Sequence, residues 1–132
     1  MMKKGIVYFV GAGPGDPELI TVKGRRLLDA ADVVIYAGSL VNPALLEGIK
    51  ARIHNSASMN LDEIVEIMEE SVINGKLAVR LHTGDTSFFS AISEQIERLG
   101  TLGIPCEVVP GVSSAAAGAA ALGQELTVPG MS

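Results

Sequence analysis

Tryptophan is absent from this sequence, aromatic residues make up 4% of it, and a single cysteine, Cys106, stands among 132 residues. A lone thiol supports neither an internal disulfide framework nor a cysteine metal cluster, and the setting it implies is a reducing cytoplasm. Basic residues are scarce as well: 10 Lys and Arg against 15 Asp and Glu leave a net charge of −5. A general nucleic-acid binder needs a basic footprint, so that class is set aside. The two histidines, His54 and His82, show no metal spacing with Cys106 or with an acid, and no metal site is expected. No apolar run approaches the roughly 18 residues of a membrane span. The run Ile6–Val10 after Met1-Met2-Lys3-Lys4 is too short for a secretory signal and ends in glycines. A soluble protein is expected.

What is present is apolar: 48% of the residues are hydrophobic and 19% charged, with a mean hydropathy of +0.37. Such a surplus points to strands buried on both faces, or to a surface that something else covers. The length suits one compact domain. Short runs that are apolar throughout predict strands at Ile6–Val10, Val33–Tyr36, Leu77–His82 and Glu107–Val109, with a weaker one at Arg52–Asn55. Helical spacing predicts helices over about Val22–Ala31, over a stretch capped by Asn60 and stopped at Asn74-Gly75, over about Ser87–Leu99, and over the alanine-rich Ser113–Leu122. Alternating strands and helices predict an α/β sandwich around a mostly parallel sheet. The last residues, Glu125–Ser132, have the character of an extended stretch entering a turn, and more protein is expected to follow.

The first strand runs into Gly11-Ala12-Gly13-Pro14-Gly15-Asp16-Pro17, where glycines let a ligand approach the backbone. A nicotinamide site fits poorly. Asp16 stands where the third glycine of G-x-G-x-x-G belongs, Pro14 removes an N–H that a pyrophosphate would use, and Asp32 lies at the wrong end of the second strand to hold a ribose. A phosphate loop fails too, since Gly75-Lys76 is followed by Leu77 and lacks the earlier glycine. Two further small-residue turns, Thr83–Ser87 and Pro110–Ser114, follow strands, and in a parallel sheet all three turns face one crevice. None contains lysine or arginine, which disfavours a phosphate-rich ligand. A ligand with an ammonium, a carboxylate, a ribose and a neutral base suits them better, and S-adenosylmethionine is such a molecule.

The same segments carry a resemblance. Gly11–Pro17 continuing into Leu19–Gly24 resembles the opening signature of the tetrapyrrole methylase family. Ala31–Tyr36 is similar to the family's second strand, and His82-Thr83-Gly84-Asp85 and Val109–Ser114 to its two later cofactor segments. Tyr36–Asn42 and Ser56-Ala57-Ser58-Met59 resemble the branch that methylates precorrin-4 or cobalt-precorrin-4 at carbon 11 in cobalamin synthesis.

The resemblance implies a three-layer α/β domain with a mainly parallel five-stranded sheet over residues 1–125, residues 126–132 opening an interdomain linker, and a second domain beyond. It implies a cytoplasmic homodimer with S-adenosylmethionine bound in the cleft and a tetrapyrrole as acceptor. Pro14, Gly84, Asp85, Thr86, Phe89, Ser113 and Ser114 would hold the cofactor, and Gly13, Gly15 and Asp16 would face the tetrapyrrole. No catalytic base is assigned. The chain departs from the family at Thr86, usually proline, and at Phe89 and Ser90, which replace a tyrosine and a glycine. Ala37 stands where uroporphyrinogen methylases carry an aspartate.

Plainer roles remain open for several of these residues. Asp16, Asp85, Ser113 and Ser114 are all good helix caps. Lys23, Arg25 and Arg26 suit a solvated helix face, or contacts to substrate carboxylates. His82 is expected to be packed or hydrogen-bonded, and Met59 and Met68 to fill the core or its edge.

Overall fold

A computed structural model describes residues 5–38, 41–83 and 91–112. Five strands form one sheet: β1 (Ile6–Gly11), β2 (Val33–Tyr36), β3 (Arg52–Asn55), β4 (Leu77–His82) and β5 (Cys106–Val109). Their order is β3-β2-β4-β1-β5, and every pairing is parallel. β1 and β4 are buried along their whole lengths, which explains their unbroken apolar character. β3 lies at an edge with three of its four residues exposed, hence the weaker pattern there.

Helices α1 (Val22–Ala30), α2 (Leu61–Ile73) and α3 (Ala91–Thr101) make the outer layers. Side chains alternate across each strand, so Tyr8, Val10 and Val79 face α1, which contributes Leu27 and Leu28. Val7, Phe9 and Ile35 face the other way, toward Ile64, Val65 and Met68 of α2 and Leu99 of α3. The result is the three-layer sandwich expected from the sequence. Single turns of 3-10 helix at Pro17–Leu19, Pro43–Leu46 and Ser56–Ser58 lie between the main elements.

Local chemistry sets the helix ends. Thr21 Oγ1 accepts from the Gly24 N–H at 3.0 Å to start α1. Asn60 and Glu63 form a reciprocal capping box at α2. α2 and α3 end in the same hydrogen-bonded motif: Lys76 N–H donates to Ser71 O and Gly75 N–H to Val72 O, as Ile104 does to Leu99 and Gly103 to Gly100. Gly75 and Gly103 take the left-handed conformation this needs, with φ of 67° and 71°. α3 therefore runs to Thr101, two residues beyond the predicted Leu99, because the stop signal is Gly103. The expected start of α3 at Ser87 and the predicted helix over Ser113–Leu122 lie outside the described residues.

Candidate functional site

All five strands point the same way, so their carboxyl ends share one rim. β1 sits between β4 and β5, with Gly11 opposite His82 and Val10 opposite Val109. The glycine loop after β1, the turn opening at Thr83 and the turn opening at Pro110 thus leave the sheet from three adjacent strands.

The glycine loop is held from beneath and from the side. Ala12 N–H donates to His82 O at 2.6 Å. Gly13 has a φ of +83°, and a Cβ there would lie 2.9 Å from Leu19 O, so neither the backbone nor the space admits a side chain. Gly15, at φ +122°, has open space where its Cβ would be. Asp16 is exposed, and its Oδ1 caps the following turn by accepting from Glu18 N–H at 2.9 Å. The two other short turns begin the same way: Asn42 Oδ1 accepts from Ala44 N–H and Asn55 Oδ1 from Ala57 N–H, each at 2.9 Å. Asn42 also donates from Nδ2 to Gly15 O at 2.8 Å, which joins the turn after β2 to the glycine loop. Ser56 Oγ donates to Tyr36 O at 2.9 Å and joins the ends of β2 and β3.

Under this rim, on the α2–α3 side of the sheet, β4 buries two basic residues. Arg80 is 5% exposed, and its guanidinium donates to Gln95 Oε1 at 3.2 Å and to Ile35 O at 3.3 Å. Burial pulls its pKa down to about 10, so it stays a cation at neutral pH. His82 stacks on Phe9 with ring centroids 6.2 Å apart, and its Nε2 has no hydrogen-bond partner among the described residues. Burial first, and the Arg80 charge second, lower its pKa to about 3, so the imidazole is neutral. A base this weak is unsuited to taking a proton at neutral pH.

Of the residues the sequence singled out, Gly13, Pro14, Gly15 and Asp16 stand together in the loop on this rim. Gly84, Asp85, Thr86, Phe89, Ser113 and Ser114 lie outside the described residues. Asp32 is at the opposite, amino end of β2, where its Oδ2 accepts from Leu77 N–H at 2.9 Å. Met68 is fully buried and Met59 packs against the same cluster, as expected. Arg25 differs from its expected place on a solvated face. It pairs with Asp29 and donates to Leu45 O at 3.0 Å, tying α1 to the turn after β2. Sequence reasoning passed over Arg80 and Gln95, and took Asn42 only as the end of the Tyr36–Asn42 segment. The first two lie in runs that otherwise look like ordinary strand and helix, whereas Asn42-Pro43 carried a visible turn signal. Among the described residues no group of three or more His, Cys, Asp or Glu is placed to hold a metal ion, and no helix is long and apolar enough to cross a membrane.

The model of the tetrapyrrole (corrin/porphyrin) methylases matches residues 6–132. The chain is 58% identical to a cobalt-precorrin-4 C(11)-methyltransferase of Methanocaldococcus jannaschii over 96% of this chain and 49% of that protein. It is 54% identical to a precorrin-4 C(11)-methyltransferase of Pseudomonas aeruginosa over 96% of this chain and 51% of that protein. The chain therefore spans about half the length of these relatives. Among solved structures, a cobalt precorrin-4 methyltransferase superposes with a TM-score of 0.90 at 49% identity, covering 95% of this chain and 53% of that one. A uroporphyrin-III C-methyltransferase of Thermus thermophilus complexed with S-adenosyl homocysteine superposes with a TM-score of 0.75 at 38% identity, covering 95% of this chain and 51% of that one.

Proposed function

The chain belongs to the tetrapyrrole (corrin/porphyrin) methylases, and on that premise we propose that it forms the S-adenosylmethionine-binding half of an enzyme that methylates carbon 11 of precorrin-4 or cobalt-precorrin-4 in cobalamin synthesis. The observation that carries the reading is the shared rim, where β1, β4 and β5 end side by side and their three turns start from one edge. The described turn residues fit the cofactor's chemistry. Ala12–Asp16, Thr83 and Pro110–Val112 include no lysine, arginine or histidine, so no side-chain cation in them opposes a sulfonium or attracts a phosphate. Neutral His82 adds no charge, and the open space above Gly15 leaves the backbone accessible.

S-adenosylmethionine supplies, when bound, a methyl group already activated by its positive sulfur. The chain's share is to bind, to align and to keep water out. In this reading Pro14, Gly84, Asp85, Thr86, Phe89, Ser113 and Ser114 hold the cofactor. Gly13, Gly15 and Asp16 present the loop to the acceptor, whose ring carbon brings its own electrons. Asp16 is the one carboxylate among the described turn residues, and it is engaged as a cap, so no catalytic base is assigned. The domain covers residues 1–125, residues 126–132 begin a linker to a second domain that completes the cleft, and the enzyme works as a cytoplasmic homodimer. A second reading concerns residues 1–132 by themselves, which cover 49% of that relative: a binding domain without turnover.

Titration with S-adenosylhomocysteine and a methyl-transfer assay on the full natural polypeptide test the proposal. The expected result is saturable binding, and carbon-13 methyl label at carbon 11 of the acceptor. A polypeptide that binds neither form of the cofactor, or that labels a different carbon, sinks the assignment. Binding without turnover by residues 1–132 supports the second reading for that fragment.

A further inference from the structure

We infer that Asn42 is a positioning residue that holds the glycine loop in the shape that receives the acceptor tetrapyrrole. The inference rests on the function proposed above. Both ends of the Asn42 amide are in use. Its Oδ1 accepts from Ala44 N–H at 2.9 Å, which turns the NH2 group toward the loop, and Nδ2 donates to Gly15 O at 2.8 Å. The amide stands on a rigid base, since Val41 is 3% and Leu45 1% exposed and both belong to the core under α1. The loop it grips is held at its start by backbone pairing, Ala12 N–H to His82 O and an isolated bridge at Gly13. Asp16 is bonded to the turn that follows it. Among the described residues the Asn42 amide makes the one side-chain hydrogen bond to Gly13, Pro14 or Gly15. Gly15 also has no side chain, takes a φ of +122°, and has open space where a Cβ would be.

Asn42 closes the segment Tyr36–Asn42 that separates the precorrin-4 branch from its relatives by resemblance. It therefore links the part of the chain that differs between branches to the loop that meets the acceptor. A change at Asn42 reaches the loop through its amide.

Two variants separate positioning from capping in the full natural polypeptide. Asn42→Ser keeps a good cap for the turn but is too short to reach Gly15. Asn42→Asp keeps the cap and sets a carboxylate oxygen against the Gly15 carbonyl. Both are expected to raise KM for the tetrapyrrole, Asn42→Ser by about fivefold, the size of one lost hydrogen bond, and Asn42→Asp by more. The Kd for S-adenosylhomocysteine should stay within about twofold of wild type, and amide exchange at Gly13, Gly15 and Asp16 should quicken. Asn42→Ser behaving as wild type in KM and in loop exchange would overturn the inference and leave Asn42 as a cap. Equal losses in acceptor and cofactor binding would also overturn it, as general damage. If the wild-type polypeptide methylates no tetrapyrrole, the proposed function fails first, and loop exchange alone then decides whether Asn42 orders the loop.

Discussion

The two faces of the sheet each bury large side chains completely but differ in what they enclose. Under α1 the core is Tyr8, Val10, Leu27, Leu28, Val34, Leu45 and Val79, and among the described residues the phenol of Tyr8 is its one buried ionisable group. Under α2 and α3 it includes Val7, Phe9, Ile35 and Met68, and also all four buried polar side chains among the described residues: Ser71, Arg80, His82 and Gln95. Ser71 is satisfied within its own helix, its Oγ donating to Ile67 O at 2.9 Å. The other three gather at the carboxyl half of β4, directly below the rim. One face is cohesion alone. The other tolerates the cost of buried polar groups just where the turns of the candidate site begin, and perturbed ionisable groups concentrate at functional sites.

Substitutions in the two aliphatic cores test the first half of that contrast and have the largest expected effect. Leu28 and Met68 are both 0% exposed, one on each face. Leu28→Ala and Met68→Ala should each lose about 3 kcal/mol in urea unfolding, within the range for buried large-to-small changes. A loss at Met68 below about 1 kcal/mol would mean that the α2 face is more loosely packed than the complete burial of Met68 implies.

Arg80 tests the second half. Arg80→Ala opens a cavity and leaves Gln95 Oε1 and Ile35 O without their donor, and should cost about 2–3 kcal/mol. Arg80→Met fills most of the space and removes a cation whose burial is unfavourable, so it should fall within about 1 kcal/mol of wild type. If methionine is as damaging as alanine, the charge itself is being stabilised by an anionic group, and the α2–α3 face is better compensated than its described contacts indicate.

The next effect is pH dependence. The folded pKa of His82 is depressed to about 3 from an ordinary 6.5, so between those values the unfolded chain binds the extra proton. Stability from this group is complete above about pH 6.5 and falls as pH drops toward 3. The decline from pH 6.5 to 5 should amount to about 2 kcal/mol, at 1.36 kcal/mol per pH unit. His82→Leu should remove that part of the slope. An unchanged slope in the variant would show that His82 is not the group taking up the proton, and would weaken the case for a buried neutral imidazole under the rim.

Sequence alone disclosed those parts of the fold whose causes are local. Asn60 with Glu63, and Asn74-Gly75, mark helix ends through bonds spanning three to five residues, so α2 was legible to its ends. The apolar runs of β1 and β4 announced strands covered on both faces. The strand order β3-β2-β4-β1-β5 was not legible, because no local pattern says that β4 inserts between β2 and β1. The glycine loop was legible as a tight turn, since Gly13 and Gly15 stand where positive φ is required. The grip of Asn42 on Gly15 spans 27 residues and exists only once β1 and β2 are placed in one sheet. Arg80 was missed for a similar reason. An arginine in the run Leu-Ala-Val-Arg-Leu-His resembles an exposed position until α3 covers it.

The smallest expected effect belongs to a charged contact that joins the two helices of the polar face. Arg98 of α3 pairs with Asp62 of α2, with side chains 44% and 78% exposed. Solvent screens such a pair, and holding two mobile side chains offsets much of the attraction, so its coupling should lie below about 0.5 kcal/mol. Asp62 also lies in the first turn of α2, where a negative charge favours the helix dipole. A single substitution at Asp62 therefore mixes two effects, and Asp62→Asn should cost more than Arg98→Gln. A double-mutant cycle separates them. Coupling near zero in 0.5 M salt and a few tenths of a kcal/mol at low salt is the expected outcome. A coupling above about 1 kcal/mol that resists salt would mean that surface charge helps fix α3 against α2, and that the polar character of this face extends from its buried interior to its solvent side.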